Sequence, residues 1–274
     1  MKIILNEREI EVEENISLSR LARLYKPEAD IFIINGYPAS PQTKLRERDS
    51  VVLIKKGEMP EREELEALMR ARHTPGVARK LKKGKVGIAG LGGLGSAVAI
   101  ALARVGVGTL VLVDFDVVEP SNLNRQHYFI SQIGEYKTLA LADTLKKINP
   151  FIKVVPHTVE LTRENVVELF KDCDVIVEAF DKAEMKHMLI ETVLEKMPEK
   201  YVVAASGLAG YGHSNEIKTR RFGKLFMCGD GKREAKPGQG LMAPRVGIAA
   251  HMQANTVMEI LVDFLNGEKE VLQK

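Results

Sequence analysis

The chain of 274 residues has only two cysteines, Cys173 and Cys228, 55 positions apart, and no Cys-x-x-Cys pair. That shortage argues against a disulfide framework and excludes a zinc site built from paired thiolates, since both need thiols at short, repeated spacings. Long apolar runs are missing too: no stretch reaches 18 residues, so no transmembrane helix and no membrane partner is expected. Charge of one sign is scarce, because 40 Lys and Arg against 37 Asp and Glu leave a net +3. A general nucleic-acid binder carries a larger basic excess, so no nucleic-acid partner is expected. Met1–Asn15 alternates apolar and charged residues and lacks the continuous apolar centre of a signal peptide; a cytoplasmic location is expected. What remains is 45% hydrophobic and 28% charged, a globular composition with enough chain to bury a core without staples.

Residues 1–57 read as a small α+β domain. Met1–Leu5 and Glu9–Val12 alternate as two strands around an Asn6-Glu7-Arg8 turn. Ser17 is placed to cap a helix reaching Tyr25, Ile31–Ile34 is a strand stopped by Asn35-Gly36, and Val51–Ile54 is a last strand. This β-β-α-β-β order resembles the ubiquitin-like β-grasp fold of the sulfur carriers ThiS and MoaD. Ten basic and ten acidic residues in positions 1–60 leave the segment without net charge. Residues 58–84 read as a linker helix: Glu58–Arg72 carries one apolar stripe at Leu65, Leu68 and Met69, and a basic run from Arg79 to Lys85 follows.

From 85 to 274 strands and helices alternate. Val86–Ala89, Thr109–Val113, Lys153–His157, Val175–Ala179 and Val202–Ala205 are short apolar strands, separated by helices at Ser96–Val105, Lys137–Ile148, Asn165–Phe170 and Glu184–Lys196. That rhythm predicts a doubly wound α/β domain, Rossmann-like, with a mainly parallel sheet covered on both faces. After Ser206 the chain is glycine-rich up to Gly247, and a last helix runs from about Pro244 to Leu265.

Gly90-Leu91-Gly92-Gly93-Leu94-Gly95-Ser96 stands between the first of these strands and its helix. Glycines there let the backbone approach phosphate oxygens, and the helix N-terminus offers free N–H groups. Asp114, about 20 residues on, ends the next strand, where an acidic residue accepts ribose hydroxyls. A dehydrogenase would show both features. The stretch Asp114-Phe115-Asp116-Val117-Val118-Glu119-Pro120-Ser121-Asn122-Leu123-Asn124-Arg125-Gln126 goes further. Together with Ile133–Lys137 and Ala179-Phe180-Asp181, it strongly resembles the adenylation motif of the ThiF/MoeB/HesA superfamily, relatives of the ubiquitin-activating enzymes. The resemblance spans nearly all of residues 65–265.

The resemblance implies ATP as co-substrate. Gly90, Gly92, Gly93, Leu94 and Gly95 would cradle the nucleotide, Asp114 would take the ribose, and Asp116 would belong to the same site. Asn122 and Arg125 would contact the phosphates, Lys137 would neutralise them, and Asp181 would hold Mg²⁺. Arg72, before the first strand, would reach the ATP site of a second subunit and so require a homodimer. Arg70 is the alternative for that part, and for any one residue alone a solvated surface charge is the plainer reading.

Departures from the family are equally informative. Without Cys-x-x-Cys pairs no zinc is expected. The position of the usual loop nucleophile falls near Lys236, where no thiol stands. Cys228 is left either as a nucleophile on a mobile loop or as a small packed thiol; Cys173 is expected to be structural. Sulfur carriers end in Gly-Gly, whereas Ile54-Lys55-Lys56-Gly57-Glu58 continues into a helix. The first domain therefore cannot be the adenylated substrate, and a docking, dimerising or regulatory role is expected. Ala205–Gly212 either lines the groove for a carrier's tail or is a flexible turn. The expected activity is adenylation of the C-terminal glycine of a separate ThiS-like carrier, in thiamine thiazole synthesis. A MoaD-like carrier or tRNA as substrate, an NAD-dependent oxidoreductase and a non-catalytic nucleotide-binding scaffold are the alternatives.

Overall fold

The computed structural model describes residues 1–265 other than Glu7, Glu58, Met59, Glu61 and Pro75. The turn residue Glu7, the Glu58 start expected for the linker helix and the last nine positions thus lie outside the described residues. The chain divides into two compact units, Met1–Arg79 and Lys80–Lys274.

In the first unit β1 (Lys2–Leu5), β2 (Arg8–Glu11), α1 (Leu18–Tyr25), β3 (Ile31–Ile34), β4 (Tyr37–Pro38) and β5 (Ser50–Ile54) build a five-stranded sheet in the order β2-β1-β5-β3-β4. Only the central β1–β5 pairing is parallel. Ser17 caps α1 by accepting the Arg20 N–H at 3.3 Å. Asn35 (φ 51°) and Gly36 (φ 86°) both adopt the left-handed backbone that a two-residue hairpin turn demands, which adds the short strand β4. Leu18 and Leu21 of α1 pack with Ile3, Val51 and Leu53 on one face of the sheet. Val52 and Ile33 point to the other face, against Ala71 and Leu68. Burial on both faces explains why β5 is apolar from Val51 to Ile54 and not alternating. The expected linker helix is two helices, α2 (Arg62–Arg70) and α3 (Val77–Lys83). Most of the basic run thus lies on α3, with only Leu81 fully buried.

The second unit holds β6 (Lys85–Ala89), α4 (Gly93–Arg104), β7 (Thr109–Asp114), α5 (Lys137–Ile148), β8 (Lys153–Thr158), α6 (Val166–Phe170) and β9 (Val175–Glu178). Next come α7 (Ala183–Lys196), β10 (Tyr201–Ala205), β11 (Lys218–Phe222), β12 (Leu225–Gly229) and α8 (Ala243–Glu259), which runs into a π turn over Ile260–Phe264. The seven strands lie in the order β11-β12-β10-β9-β6-β7-β8, all parallel except the β11–β12 hairpin. This is the doubly wound, mainly parallel sheet expected. The order reverses between β6 and β9, and ligands of such sheets bind in the crevice that this reversal opens.

The hairpin lies in the glycine-rich stretch after Ser206, where the sequence pattern names no strand. β11 is Lys-Thr-Arg-Arg-Phe with every residue exposed, so it has no apolar alternation to betray it. Its existence depends on pairing with β12, which local sequence does not show. The core below is close-packed: a Cβ on Gly87 would stand 2.4 Å from the Phe170 ring. Truncating that fully buried ring, Phe170→Ala, is expected to lower unfolding stability by about 3–5 kcal/mol, read by urea denaturation; a loss under about 1 kcal/mol would contradict this packing.

Candidate nucleotide site

Gly90 leaves β6 with φ 88°, and its N–H is bound to Val113 O at 2.9 Å. A Cβ on Gly95 would lie 1.9 Å from Gly90 O, so the turn closes onto the first turn of α4 only because glycine stands there. Ser96 Oγ donates to Gly92 O (2.6 Å) and accepts from His127 N (3.2 Å), which ties this turn to the segment after Arg125. The first N–H groups of α4 have no partner within the helix and carry its positive end, a site for anionic oxygen.

Asp114, the last residue of β7, fastens the loop. Its Oδ2 accepts the Leu91 N–H at 2.6 Å, and its Oδ1 accepts the Asp116 N–H at 2.9 Å. Burial raises its pKa, while those two N–H groups and the Lys137 charge oppose the rise. Each carboxylate oxygen keeps a second lone pair for a ribose hydroxyl. Lys137 opens α5, with its side chain 7% exposed and its Nζ 2.7 Å from Asp116 Oδ2. A nearly buried ammonium held by a half-exposed carboxylate has donors that an anionic oxygen could take up in charge-assisted bonds.

Asn122 is buried and spends its Oδ1 on Glu119 N at 3.0 Å. Arg125 Nη1 rests on Ser121 O (3.2 Å) and Asn124 Oδ1 (2.9 Å), and its Cγ would be 3.5 Å from a Cβ on Gly93. Leu94, with 6% exposure, anchors the first turn of α4. The structure therefore brings together the glycine loop, Asp114, Asp116, Lys137, Asn122 and Arg125. Asp181 is exposed on the turn after β9. The Phe180 N–H beside it is held by Glu178 Oε1 at 2.7 Å. β9 and β7 flank β6, so Asp181 and Asp114 both lie at strand C-terminal ends around the crevice. Arg70 and Arg72 belong to the first unit; Arg70 is paired with Glu66 at 3.3 Å, and Arg72 is exposed.

Several residues escape a reading by motif. Tyr128, buried, donates to Leu91 O at 2.8 Å. Gln126 Oε1 is buried without a partner, and its Nε2 lies 3.7 Å from where a Gly92 Cβ would be. Glu178, fully buried, takes Lys186 Nζ at 2.8 Å, and Lys186 also donates to Ala205 O at 3.1 Å. An acidic residue closing an apolar strand was the available signal for Glu178.

Cys228 is not on a mobile loop. It lies on β12, fully buried, and burial pushes its thiol pKa up. Cys173, also buried, is pushed up to about 12, first by burial and then by Asp174. Among the described residues no group of three or more His, Cys, Asp or Glu could hold a metal ion. Mg²⁺ asks for less, one or two carboxylates beside substrate phosphates, and exposed Asp181 suits that.

The sequence pattern of the ThiF family matches residues 66–274, and that of ThiS-like ubiquitin matches residues 1–57. The chain belongs to the ThiF family. Among curated relatives, the adenylyltransferase and sulfurtransferase UBA4 of Candida glabrata is 29% identical over 197 residues, 69% of this chain and 45% of that protein. The adenylyltransferase and sulfurtransferase MOCS3 of Caenorhabditis briggsae is 33% identical over 193 residues, 66% of this chain and 46% of that one. This ThiF-family chain thus spans less than half the length of those relatives. The E. coli tRNA N6-threonylcarbamoyladenosine dehydratase TcdA, solved with ATP, shares the fold with a TM-score of 0.65 and 19% identity, covering 74% of this chain and 94% of TcdA. Among the described residues no helix is long and apolar enough to cross a membrane.

A thiol with a raised pKa stays protonated at neutral pH, and the thiolate is the nucleophile. Neither Cys173 nor Cys228 should react with iodoacetamide in the native protein at pH 7, while both label once the chain is unfolded. Rapid native labelling of Cys228, followed by mass spectrometry, would contradict the site as described.

Proposed function

We propose that this protein is an ATP-dependent adenylyltransferase activating the C-terminal glycine carboxylate of a separate ThiS-like sulfur carrier, in the service of thiamine thiazole synthesis. The observation that carries the reading is the bonded series from Leu91 N–H through Asp114 to Asp116 and Lys137. It sets a ribose acceptor between phosphate-binding N–H groups and a shielded ammonium. A dinucleotide-dependent dehydrogenase would use the glycine loop and Asp114 but leave Lys137, Arg125 and Asp181 without work.

In the reaction a carrier carboxylate oxygen attacks the α-phosphorus of ATP, the bond to the β-phosphate bridging oxygen breaks, and pyrophosphate leaves. Negative charge grows on the phosphate oxygens, so catalysis is positioning and electrostatics. The glycine-loop N–H groups and Asn122 orient the phosphates. Lys137 exchanges Asp116 for phosphate oxygens. Arg125 offers a planar fork to the departing pyrophosphate. Asp181 would hold Mg²⁺, which supplies further neutralisation when bound.

The first unit is no substrate, because Lys55-Lys56-Gly57 follows β5 where a carrier would end in Gly-Gly. A homodimer in which Arg72 completes the partner's site fits the family pattern. The exposed apolar side chains Phe115, Phe129, Ile130, Ile133, Tyr136 and Leu139 support such an interface.

ATP–pyrophosphate exchange tests the reading. Exchange should require a purified ThiS-like carrier and fall at least about 100-fold in Asp181→Ala and in Lys137→Ala. Nucleotide binding without exchange, or carrier-independent NADH turnover, would contradict it.

A further inference from the structure

Outside the nucleotide site, the second unit buries a cluster of charges that adenylation as described leaves unused. Asp230, just past β12, and Arg245, in the first turn of α8, have side chains 1% exposed, and Arg245 Nη2 meets Asp230 Oδ2 at 2.6 Å. Asp230 Oδ1 accepts the N–H groups of Lys232 (2.7 Å) and Arg233 (3.0 Å). Arg245 Nη1 donates to Gly212 O at 2.5 Å, and its Nε is buried without a partner. Arg233 bridges Asp230 (2.5 Å) to Glu216 (2.8 Å). Burial opposes ionisation of Asp230, but the two N–H groups and the Arg233 and Arg245 guanidiniums outweigh it and hold the carboxyl at about 2. Its charge is therefore present through the neutral range, and the stability it lends is lost only as pH falls below 3.8 towards that value.

These contacts govern one stretch, residues 206–216. Gly207, Gly210 and Gly212 have φ of 79°, 80° and 66°, and His213 has φ 52°, so residues 207–213 cannot stabilise themselves as helix or strand, and only Ser214–Glu216 form a short 3-10 turn. It is held from outside. Ala209 N binds Arg233 O at 3.1 Å, and Gly210 N binds Gly240 O at 2.8 Å. A Cβ on Gly207 would lie 2.1 Å from Asp230 Oδ1, so the carboxylate sits directly against that backbone. Cβ atoms on Gly212, Gly238 and Gly240 would meet nothing within 4 Å. These three glycines therefore stand on an open surface, on which Tyr211, between Gly210 and Gly212, is also exposed.

That surface adjoins the nucleotide loop. Residue 206 follows the C-terminal end of β10, where Lys186 ties Ala205 O to Glu178 beneath the Asp181 turn. On the other side Val246, next to Arg245, would stand 3.0 Å from a Cβ on Gly93.

We propose that Asp230 and Arg245 are positioning residues for the carboxylate-bearing co-substrate: they hold residues 206–216 as the wall along which its extended end reaches the α-phosphate. The proposal rests on the adenylation reading. It assigns the pair to binding of one substrate and not of ATP, a split that a merely structural role would not produce.

Full-length wild type, Asp230→Asn and Arg233→Gln are compared. Hydrogen exchange needs no co-substrate: amides of Ala209 and Gly210 should exchange at least about tenfold faster in Asp230→Asn, with Leu91–Gly95 unchanged. In pyrophosphate exchange with a ThiS-like carrier, KM for the carrier should rise about tenfold while KM for ATP stays within about twofold. Arg233→Gln keeps the buried pair and should show smaller shifts of the same kind, so it decides the matter if Asp230→Asn does not fold. A working wild type whose variants leave the carrier KM unmoved, or raise both KM values equally, overturns the assignment alone. A wild type without carrier-dependent exchange overturns the adenylation reading, and the assignment falls with it.

Discussion

The two hydrogen bonds of the Asp114 carboxylate are the constraint on which the nucleotide site depends. One fixes Leu91 in the glycine loop, and the other fixes Asp116, whose own carboxylate holds Lys137. A single side chain at the end of β7 thereby sets the distance between the loop after β6 and the first turn of α5. Strand order does the rest. β9 flanks β6 opposite β7, so the Asp181 turn opens on the same crevice. Preorganisation of this kind suits phosphoryl chemistry, where the protein contributes geometry and charge and little covalent work.

Much of this was legible in the sequence because each signal is local. Glycines at 90, 92, 93 and 95 announce a turn that admits no side chain, and the Gly95–Gly90 contact shows why. The apolar strands β6, β7, β9 and β10 announce a sheet buried on both faces. The ubiquitin-like order of the first unit follows from alternation, a Ser17 cap and the Asn35-Gly36 turn.

The rest depends on contacts between distant residues. β11 is polar along its whole length and exists because β12 pairs with it. Glu178 and Lys186 read as an ordinary strand end and helix surface until the fold buries the carboxylate. Asp230 and Arg245 stand 15 residues apart, and no motif joins them. Cys228 illustrates the same limit from the other side. Its neighbours in sequence, glycine and charge, suggest a loop, whereas the strand beneath α8 makes it a packed thiol of raised pKa. Both cysteines of the sequence are thus packed thiols.

The central claim is that this geometry directs attack to the α-phosphorus of ATP. The most direct measurement incubates the protein, a ThiS-like carrier and ATP labelled either at the α- or at the γ-phosphate, and follows label and intact mass of the carrier. The account predicts a carrier bearing one AMP, label from the α-position only, and release of pyrophosphate. Label arriving from the γ-position with release of ADP, or an unmodified carrier beside consumed ATP, would contradict it.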